Sequence, residues 1–370
     1  MKFTCPRETL LQGLQIVQRA VPAKSTLPIL AGILLETAGD RLRLVATDLE
    51  FGIECFVPVQ VAEGGSTVLE ARFLTDIVRK FPELAIEFRW DEARGQAELR
   101  SGSARYTLHT MAAADFPTLP ETSEEKTWEA DQLTLRRMIR ETSFAVAADE
   151  TRPFLTGVLW EVNGEQVRMV ATDTSRLAMA EVSAANEVQQ VQVIIPTKCL
   201  SELSRLLEPA AGATVRVALS GNHIVFSLPE ARFISRLIEG QFPSYQQVIP
   251  KAFKTKIELD REKFLAAAER ASLLAKDGPS IVKLSYAGET VALSAFVPDV
   301  GQSEEQLPAI ITGEDGDIAF NTRFLIEMLR AVEDERVVLE LTGRHAPGVL
   351  HPQGEKDHRY TYVVMPVMLR

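Results

Sequence analysis

Hydrophobic and polar positions recur along this chain with two periods, and the helical one returns in a fixed frame of charges. Three segments carry it: residues 69–81, 195–207 and 320–332. In each, a base (Arg72, Lys198, Arg323) is followed four residues later by an acid (Asp76, Glu202, Glu327) and seven later by another base (Arg79, Arg205, Arg330). Positions so spaced share one helix face. The remaining side is apolar: Phe73, Leu74, Ile77 and Phe81, then Cys199, Leu200, Leu203 and Leu207, then Phe324, Leu325, Met328 and Val332. This predicts three amphipathic helices with their apolar side toward a core. The charged frames start 126 and then 125 residues apart (198 − 72 and 323 − 198), far beyond a solenoid period, so they mark three similar domains.

Strand-like alternation fills the space between. In the first domain strands are predicted at residues 1–5, 29–36, 41–47, 51–59 and 67–69, with a helix at 7–20 carrying Leu10, Leu11, Leu14 and Val17. After the charged helix come strands at 86–90, 96–101 and 104–111, and the unit closes on residues 115–120. In the second domain a strand is read at 127–130 and a helix at 133–146. Arg168-Met169-Val170-Ala171-Thr172-Asp173 answers Arg43-Leu44-Val45-Ala46-Thr47-Asp48 at an offset of 125 (173 − 48), and residues 240–245 answer the first closing segment. The third opens with a strand at 256–259 and a helix at 261–274, where Phe264 stands in the place of Leu10 and Leu135. Its version of Val-Ala-Thr-Asp is Val291-Ala292-Leu293-Ser294, and a strand is read at 360–366. Domains are expected at 1–120, 127–248 and 255–370, with linkers at 121–126 and 249–254. Each reads helix, strands, helix, strands, an α+β unit with two helices packed on antiparallel sheet.

Composition narrows the class. A chain of 370 residues, 46% of them hydrophobic, can bury several cores. Cys5, Cys55 and Cys199 are far apart and form no C-x-x-C pair, which argues against disulfides and structural zinc and for a reducing cytoplasm. The longest apolar stretch, residues 27–35, is too short to span a bilayer and contains Pro28, and the N-terminus lacks a signal-peptide pattern. A net charge of −11 argues against a surface that coats nucleic acid, yet leaves room for one basic face.

Catalytic signatures are missing: no glycine-rich phosphate loop, nucleophile elbow or H-E-x-x-H occurs. The chain is therefore expected to be no enzyme and to need no cofactor or metal. Asp48 and Asp173 can be read as metal ligands, but strand-ending aspartates more often tie down turns. His345, His351 and His358 could form a metal cluster; the plainer reading is a solvated hairpin loop near Gly348 and Gly354. One base-acid-base face would be an ordinary salt-bridged surface. Three copies point to a shared purpose, for which sequence-independent contact with a phosphate backbone is suited. Two competitors are a metal-dependent phosphoesterase using Asp48 and Asp173, against which Ser294 stands in the third copy, and a protein-only scaffold without salt-sensitive DNA association.

Met1-Lys2-Phe3-Thr4, Thr26-Leu27-Pro28-Ile29-Leu30, Thr47-Asp48-Leu49-Glu50, Val170-Ala171-Thr172-Asp173 with Arg176-Leu177-Ala178, Phe242-Pro243-x-Tyr245 and Tyr362-Val363-Val364-Met365-Pro366 follow one another in a distinctive order. With them the chain resembles the bacterial DNA polymerase sliding clamps, the beta subunits of the replicative polymerase, over its whole length. The resemblance implies three clamp domains and a head-to-tail homodimer, a ring of six domains whose twelve inner helices surround duplex DNA. It implies DNA-facing roles for Lys24, Arg72, Arg79, Arg152, Lys198, Arg205 and Arg323, and Arg136, Arg137 and Arg140 join them by their place on the first helix of the second domain. It also implies a pocket for short peptides of polymerases, clamp loader and repair proteins, at Leu155, Thr172, Arg176, Leu177, Pro243, Val248, Asn321, Phe324, Val363, Val364, Met365 and Pro366. The dimer contact would join Tyr106 to Leu273 and Leu274. The chain departs from the family pattern at Thr174, Ser175, Met368 and Arg370, which bears on partner preference, and at residues 276–280, which bears on DNA contact there.

Overall fold

Two α-helices per repeat alternate with antiparallel strands in the computed structural model: α1 (Arg7–Val17) and α2 (Ala71–Lys80), α3 (Gln132–Thr142) and α4 (Thr197–Ser204), α5 (Arg261–Ser272) and α6 (Thr322–Ala331). The structure describes residues 1–123, 126–183, 190–208, 210, 212–275, 280–298, 300–354 and 358–368. The sequence departure at 276–280 lies, but for Ser280, outside them. No helix among the described residues is long and apolar enough to cross a membrane.

Three repeats fold into two units. One comprises residues 1–132 with 210–237, and the other 133–209 with 238–370. The first holds a five-stranded and an eight-stranded sheet, the second a twelve-stranded sheet. The division runs through the middle repeat because its strands are shared out. Lys126–Asp131, Thr214–Ser220, His223–Ser227 and Ala231–Arg236 extend the sheet of the first repeat, while Gly157–Asn163, Gln166–Thr172, Arg176–Ser183 and Gln190–Pro196 join the third.

Two ladders make these joins. Ala231–Arg236 pairs antiparallel with Phe51–Pro58, from Ala231↔Cys55 to Ser235↔Phe51. His358–Val364 pairs with Arg176–Ser183, from Val364↔Arg176 to His358↔Val182. The joints are of one kind, since Phe51–Pro58 and Arg176–Ser183 hold the same place in their repeats, 125 residues apart (176 − 51).

The helices bury the expected apolar stripes with one correction. α1 buries Leu10, Leu14 and Val17, and α6 buries Leu325, Ile326, Met328 and Leu329. On α2 the buried set is Ala71, Leu74, Thr75 and Val78, and Phe73, expected inside, is 54% exposed. Positions 71, 74, 75 and 78 form the i, i+3, i+4, i+7 stripe, which turns position 73 to the opposite side. Strands and rings complete the cores, as where Phe3 stacks on Phe88 at 4.7 Å; burying one such side chain contributes about 1.5–3 kcal/mol. Cys5, Cys55 and Cys199 are buried, and burial pushes the Cys5 and Cys55 thiols up to about 12, so they behave as inert apolar groups.

Several element limits also differ from the pattern-based reading. Residues Pro28–Ala31 form a 3-10 turn and the strand starts at Gly32, because proline offers no ladder N–H. Pro58 likewise ends its strand, after which Gln60–Glu63 forms an unanticipated strand against Lys2–Pro6. The helices expected at 7–20 and 261–274 close instead in 3-10 turns after Val17 and Ser272. The last strand of the first repeat ends at His109 and that of the third at Val364.

Candidate functional site

The first and second repeats build the same turn. Thr47 Oγ1 donates to the Phe51 carbonyl (3.0 Å) and accepts from Leu49 N (3.0 Å), while Thr172 Oγ1 donates to the Arg176 carbonyl (2.6 Å) and accepts from Thr174 N (3.1 Å). Asp48 Oδ1 accepts from the amides of Glu50 and Phe51 at 3.0 and 2.7 Å, and Asp173 Oδ1 from those of Ser175 and Arg176 at 2.9 and 3.0 Å. Of the two readings of these aspartates, the turn-tying one holds. The turn forces Leu49 and Thr174 into the left-handed region, at φ 82° and 78°, where an L side chain crowds its own backbone. In the third repeat, with Ser294 in that place, the chain runs on as the strand Thr290–Val297.

In the second repeat the turn walls a cavity of about 190 Å³ lined by Thr172, Thr174, Arg176, Leu177, Pro243, Ser244, Tyr245, Val248, Val363 and Met365. Its floor is one row across three strands, in which Leu177 lies opposite Thr172 on one side and Val363 on the other. Leu177 and Val363 share one apolar cluster with Leu155, Val170, Met179, Phe242 and Tyr245. The Tyr245 hydroxyl donates to Glu161 Oε2 at 2.5 Å; burial and this bond push the phenol above its usual range, so it stays a neutral donor.

Arg176 fixes one wall. Its guanidinium carbon is 4.3 Å from the centroid of the Phe324 ring and 5.4 Å from that of Phe144. Nε donates to Asp173 Oδ2 at 3.0 Å, Nη2 to the Phe144 carbonyl at 2.7 Å, and Nη1 to Glu327. Burial works against the guanidinium charge, but Tyr362 and Glu327 more than offset it, and its pKa rises. Burial likewise opposes the charge on Glu327, yet hydrogen bonds from Arg323 and Arg176 hold its carboxyl below the usual range. This corrects the picture of α6 as carrying a purely solvated charged face. The acid of the third copy reaches across to the second repeat.

Seven of the twelve expected pocket residues line the cavity: Thr172, Arg176, Leu177, Pro243, Val248, Val363 and Met365. Leu155 is buried in the same apolar cluster as Leu177 and Val363, and Phe324 backs Arg176. Asn321 is spent capping α6, its Oδ1 accepting from Arg323 N at 3.0 Å. Val364 is fully buried on the other face of the sheet, because neighbours in a strand point to opposite sides. Pro366 is half-buried and off the lining. Of the departures, Thr174 lines the cavity and Ser175 does not, and Met368 takes its sulfur to His345 Nδ1, 3.2 Å away. Ser244 and Tyr245 were not expected; the spacing of Phe242-Pro243-x-Tyr245 was the available signal.

The expected cations divide by what holds them. Lys24, Arg72, Arg136 and Arg152 are exposed and form no ion pair among the described residues. Arg79 pairs with Asp76 (2.8 Å), Arg205 with Glu202 (3.0 Å), Arg323 with Glu327 (2.7 Å) and Arg140 with Glu333. Lys198 is exposed on α4. Arg137 departs from the expectation: its Nε donates to Glu141 Oε1 at 2.9 Å, and that carboxylate is fully buried, so the cation is drawn into the protein rather than presented to solvent.

The histidines do not share a hairpin loop. His351 lies 3.6 Å from Glu340 on the strand Gly348–Pro352, and His358 Nε2 meets Glu141 Oε2 at 2.6 Å. Each is tied to its own partner, apart from His345 beside Met368.

Among the strand edges left open in the described residues, two hold places that match the joints between repeats. Ala104–His109 ends the five-stranded sheet, with Tyr106 46% exposed and its ring set edge-on against Phe81. Residues 301–308 of the strand Gly301–Gly313 pair with Thr290–Val297 on one side only, while 309–313 continue against Thr255–Asp260. Leu273 is 62% exposed and Leu274 half-buried at the end of α5.

Comparison with known proteins covers the whole chain. Residues 1–120 match the N-terminal domain, 129–244 the central domain and 246–368 the C-terminal domain of the DNA polymerase III beta subunit. The beta sliding clamp of Staphylococcus epidermidis is 32% identical over 377 aligned residues, covering 99% of each chain. The crystal structure of the DNA polymerase sliding clamp from Bacillus subtilis superposes with a TM-score of 0.93 at 32% identity, and that of the sliding clamp from Pseudomonas aeruginosa bound to griselimycin with 0.92 at 34%, both over 100% of each chain.

Proposed function

The chain belongs to the DNA polymerase III beta subunit family, and from that premise we propose which of its residues do the work of a DNA sliding clamp. A clamp catalyses nothing. It holds the replicative polymerase and other replication and repair proteins on duplex DNA, so it needs a grip without sequence preference and a docking point for partners.

The docking point is the cavity beside Thr172 and Arg176. A partner's leucine or phenylalanine side chain fits over Leu177, Val248 and Val363, while backbone groups of the same peptide meet the polar rim of Thr172, Thr174 and Ser244. The grip is assigned to Lys24, Arg72, Arg136 and Arg152, with Arg79, Arg140, Lys198, Arg205 and Arg323 alongside. Cations already facing a carboxylate bind phosphate weakly, which suits a contact that must slide. The repeats serve as domains at 1–120, 127–248 and 255–370, and the protein acts in the cytoplasm, where its DNA is.

One observation carries the ring. The same kind of joint occurs twice inside the chain, and one further pair of edges of that kind is left over: Ala104–His109, and residues 301–308, which hold the place of Phe51–Pro58 at an offset of 250 (301 − 51). A second copy arranged head to tail meets both edges, with Tyr106 on one side and Leu273 and Leu274 on the other, and such contacts close when the rotation permits. The test is retention on nicked circular DNA after loading by the cognate loader. Retention on the circle and loss on linearisation are expected. Equal retention on both forms overturns the ring in favour of direct binding.

A further inference from the structure

Next to the small cavity lies a cleft of about 940 Å³ without an assigned role. Both belong to one sheet face. The row Thr172, Leu177, Val363 floors the cavity; two residues along lies the row Val170, Met179, Thr361, and two further the row Arg168, Glu181, Arg359. Residues two apart in a strand point the same way, so the apolar floor runs on into a charged one. Tyr245 borders both spaces, and Val248 lines the cavity where Ile249 and Lys251 line the cleft.

Charge in the cleft is unevenly spent. Arg168 is bonded to Glu181, Glu340 faces His351, and His358 is held by Glu141. Lys251 and Arg359 are exposed and, among the described residues, have no carboxylate partner. On a chain of net charge −11, two cations without an ion pair among the described residues, at the end of an apolar groove, mark a place where negative charge is locally welcome.

We propose that the cleft receives an acidic stretch of the docking peptide, continuing out of the apolar cavity so that its carboxylates lie against Lys251 and Arg359. The proposal rests on the cavity being the partner site. It gives that site a second criterion: an apolar residue anchors the peptide, and acidic residues to one side of it select among anchors of equal quality. Because these pairs are exposed, they act on partner choice more than on affinity, and they weaken with salt.

Fluorescence anisotropy on the full chain tests it, using synthetic peptides that share one Leu-Phe anchor and are extended at either end by four glutamates or four serines. At low salt the glutamate extension at one end should tighten binding about fivefold over the serine extension. In the variant Lys251→Ser with Arg359→Ser that gain should vanish, while the serine peptide binds as before. Equal binding of glutamate and serine peptides at both ends overturns the proposal, as does a glutamate gain that survives in the variant. If neither peptide binds, the cavity reading itself falls and takes this proposal with it.

Discussion

The Arg176 guanidinium carbon stands 4.3 Å from the centroid of the Phe324 ring, bringing a cation of the second repeat onto the first turn of a helix of the third. Glu327, one turn further along α6, takes the same guanidinium from the side, and Asp173 holds it from the pocket turn. Truncating Arg176 takes from Asp173 its cation and leaves Glu327 with Arg323 alone. Arg176→Ala should lower stability by about 3 kcal/mol, read as a fall in the lowest melting transition of the full chain. Arg176→Lys should recover little of it, since a lysine cannot serve three acceptors and a ring at once. Wild-type melting in either variant contradicts this account.

The same pair sets a pH dependence. The Glu327 carboxyl titrates below its ordinary value of 4.5 in the folded chain. A depressed folded-state value means that its contribution is fully present above the unfolded value and is lost as the pH falls through the folded one. The stability of the folded chain should therefore gain from this pair near neutrality and lose that gain below the ordinary carboxylate range. Glu327→Gln should be less stable at neutral pH and lose less stability on acidification; an unaltered pH profile of urea denaturation removes Glu327 from the Arg176 network.

Val248 lines the cavity while 51% exposed. Val248→Asp should leave stability within about 0.5 kcal/mol and abolish peptide binding, because an unpaired carboxylate would face the incoming apolar side chain. Leu177→Ala, by contrast, removes a buried side chain of the floor and should cost about 2–4 kcal/mol as well as binding. Comparing peptide titration with urea denaturation separates the two effects.

Thr174 and Leu49 carry equivalent left-handed strain. Glycine adopts that conformation freely but loses more entropy on folding. The strain, about 1–2 kcal/mol for an L residue, exceeds that loss, so Thr174→Gly and Leu49→Gly should each stabilise the chain by about 0.5–1 kcal/mol. A destabilised Thr174→Gly would mean that the threonine side chain supplies more than its place in the turn.

Arg72 forms no ion pair among the described residues, whereas Arg79 is paired with Asp76. Salt dependence of DNA association reports phosphates neutralised, at about 0.9 in the logarithmic slope for each. Arg72→Ala should reduce that slope by about one, and Arg79→Ala by clearly less. Equal reductions would show that the ion pair opens on DNA.

The repeat and the α+β class were legible because each rests on local pattern, whereas the pocket positions came from the family resemblance, and seven of them line the cavity. Helical spacing marked α2, α4 and α6, and the Val-Ala-Thr-Asp motif located both turns. What escaped depended on neighbours distant in the chain. Phe73 looks like core on a helical wheel, but Thr75 occupies the buried stripe that packing selects. Arg137 counts as a free cation until the buried Glu141 is seen beside it. Val364 and Val363 are indistinguishable in composition, and strand phase alone sends one beneath the sheet and the other into the cavity. The sharing of the middle repeat between two units could not be read from repeat spacing, which is indifferent to which strands pair across repeats.

The two ladders that cross repeat boundaries carry an evolutionary consequence. A single repeat has one strand that offers an edge and another that receives one, and it cannot satisfy both by itself. An ancestor of one repeat would have met them with copies of itself, as a cyclic homo-oligomer. Gene duplication and fusion would then have turned two such contacts into internal joints, and in the proposed ring the third, of the same ancestry, would be the one never made covalent.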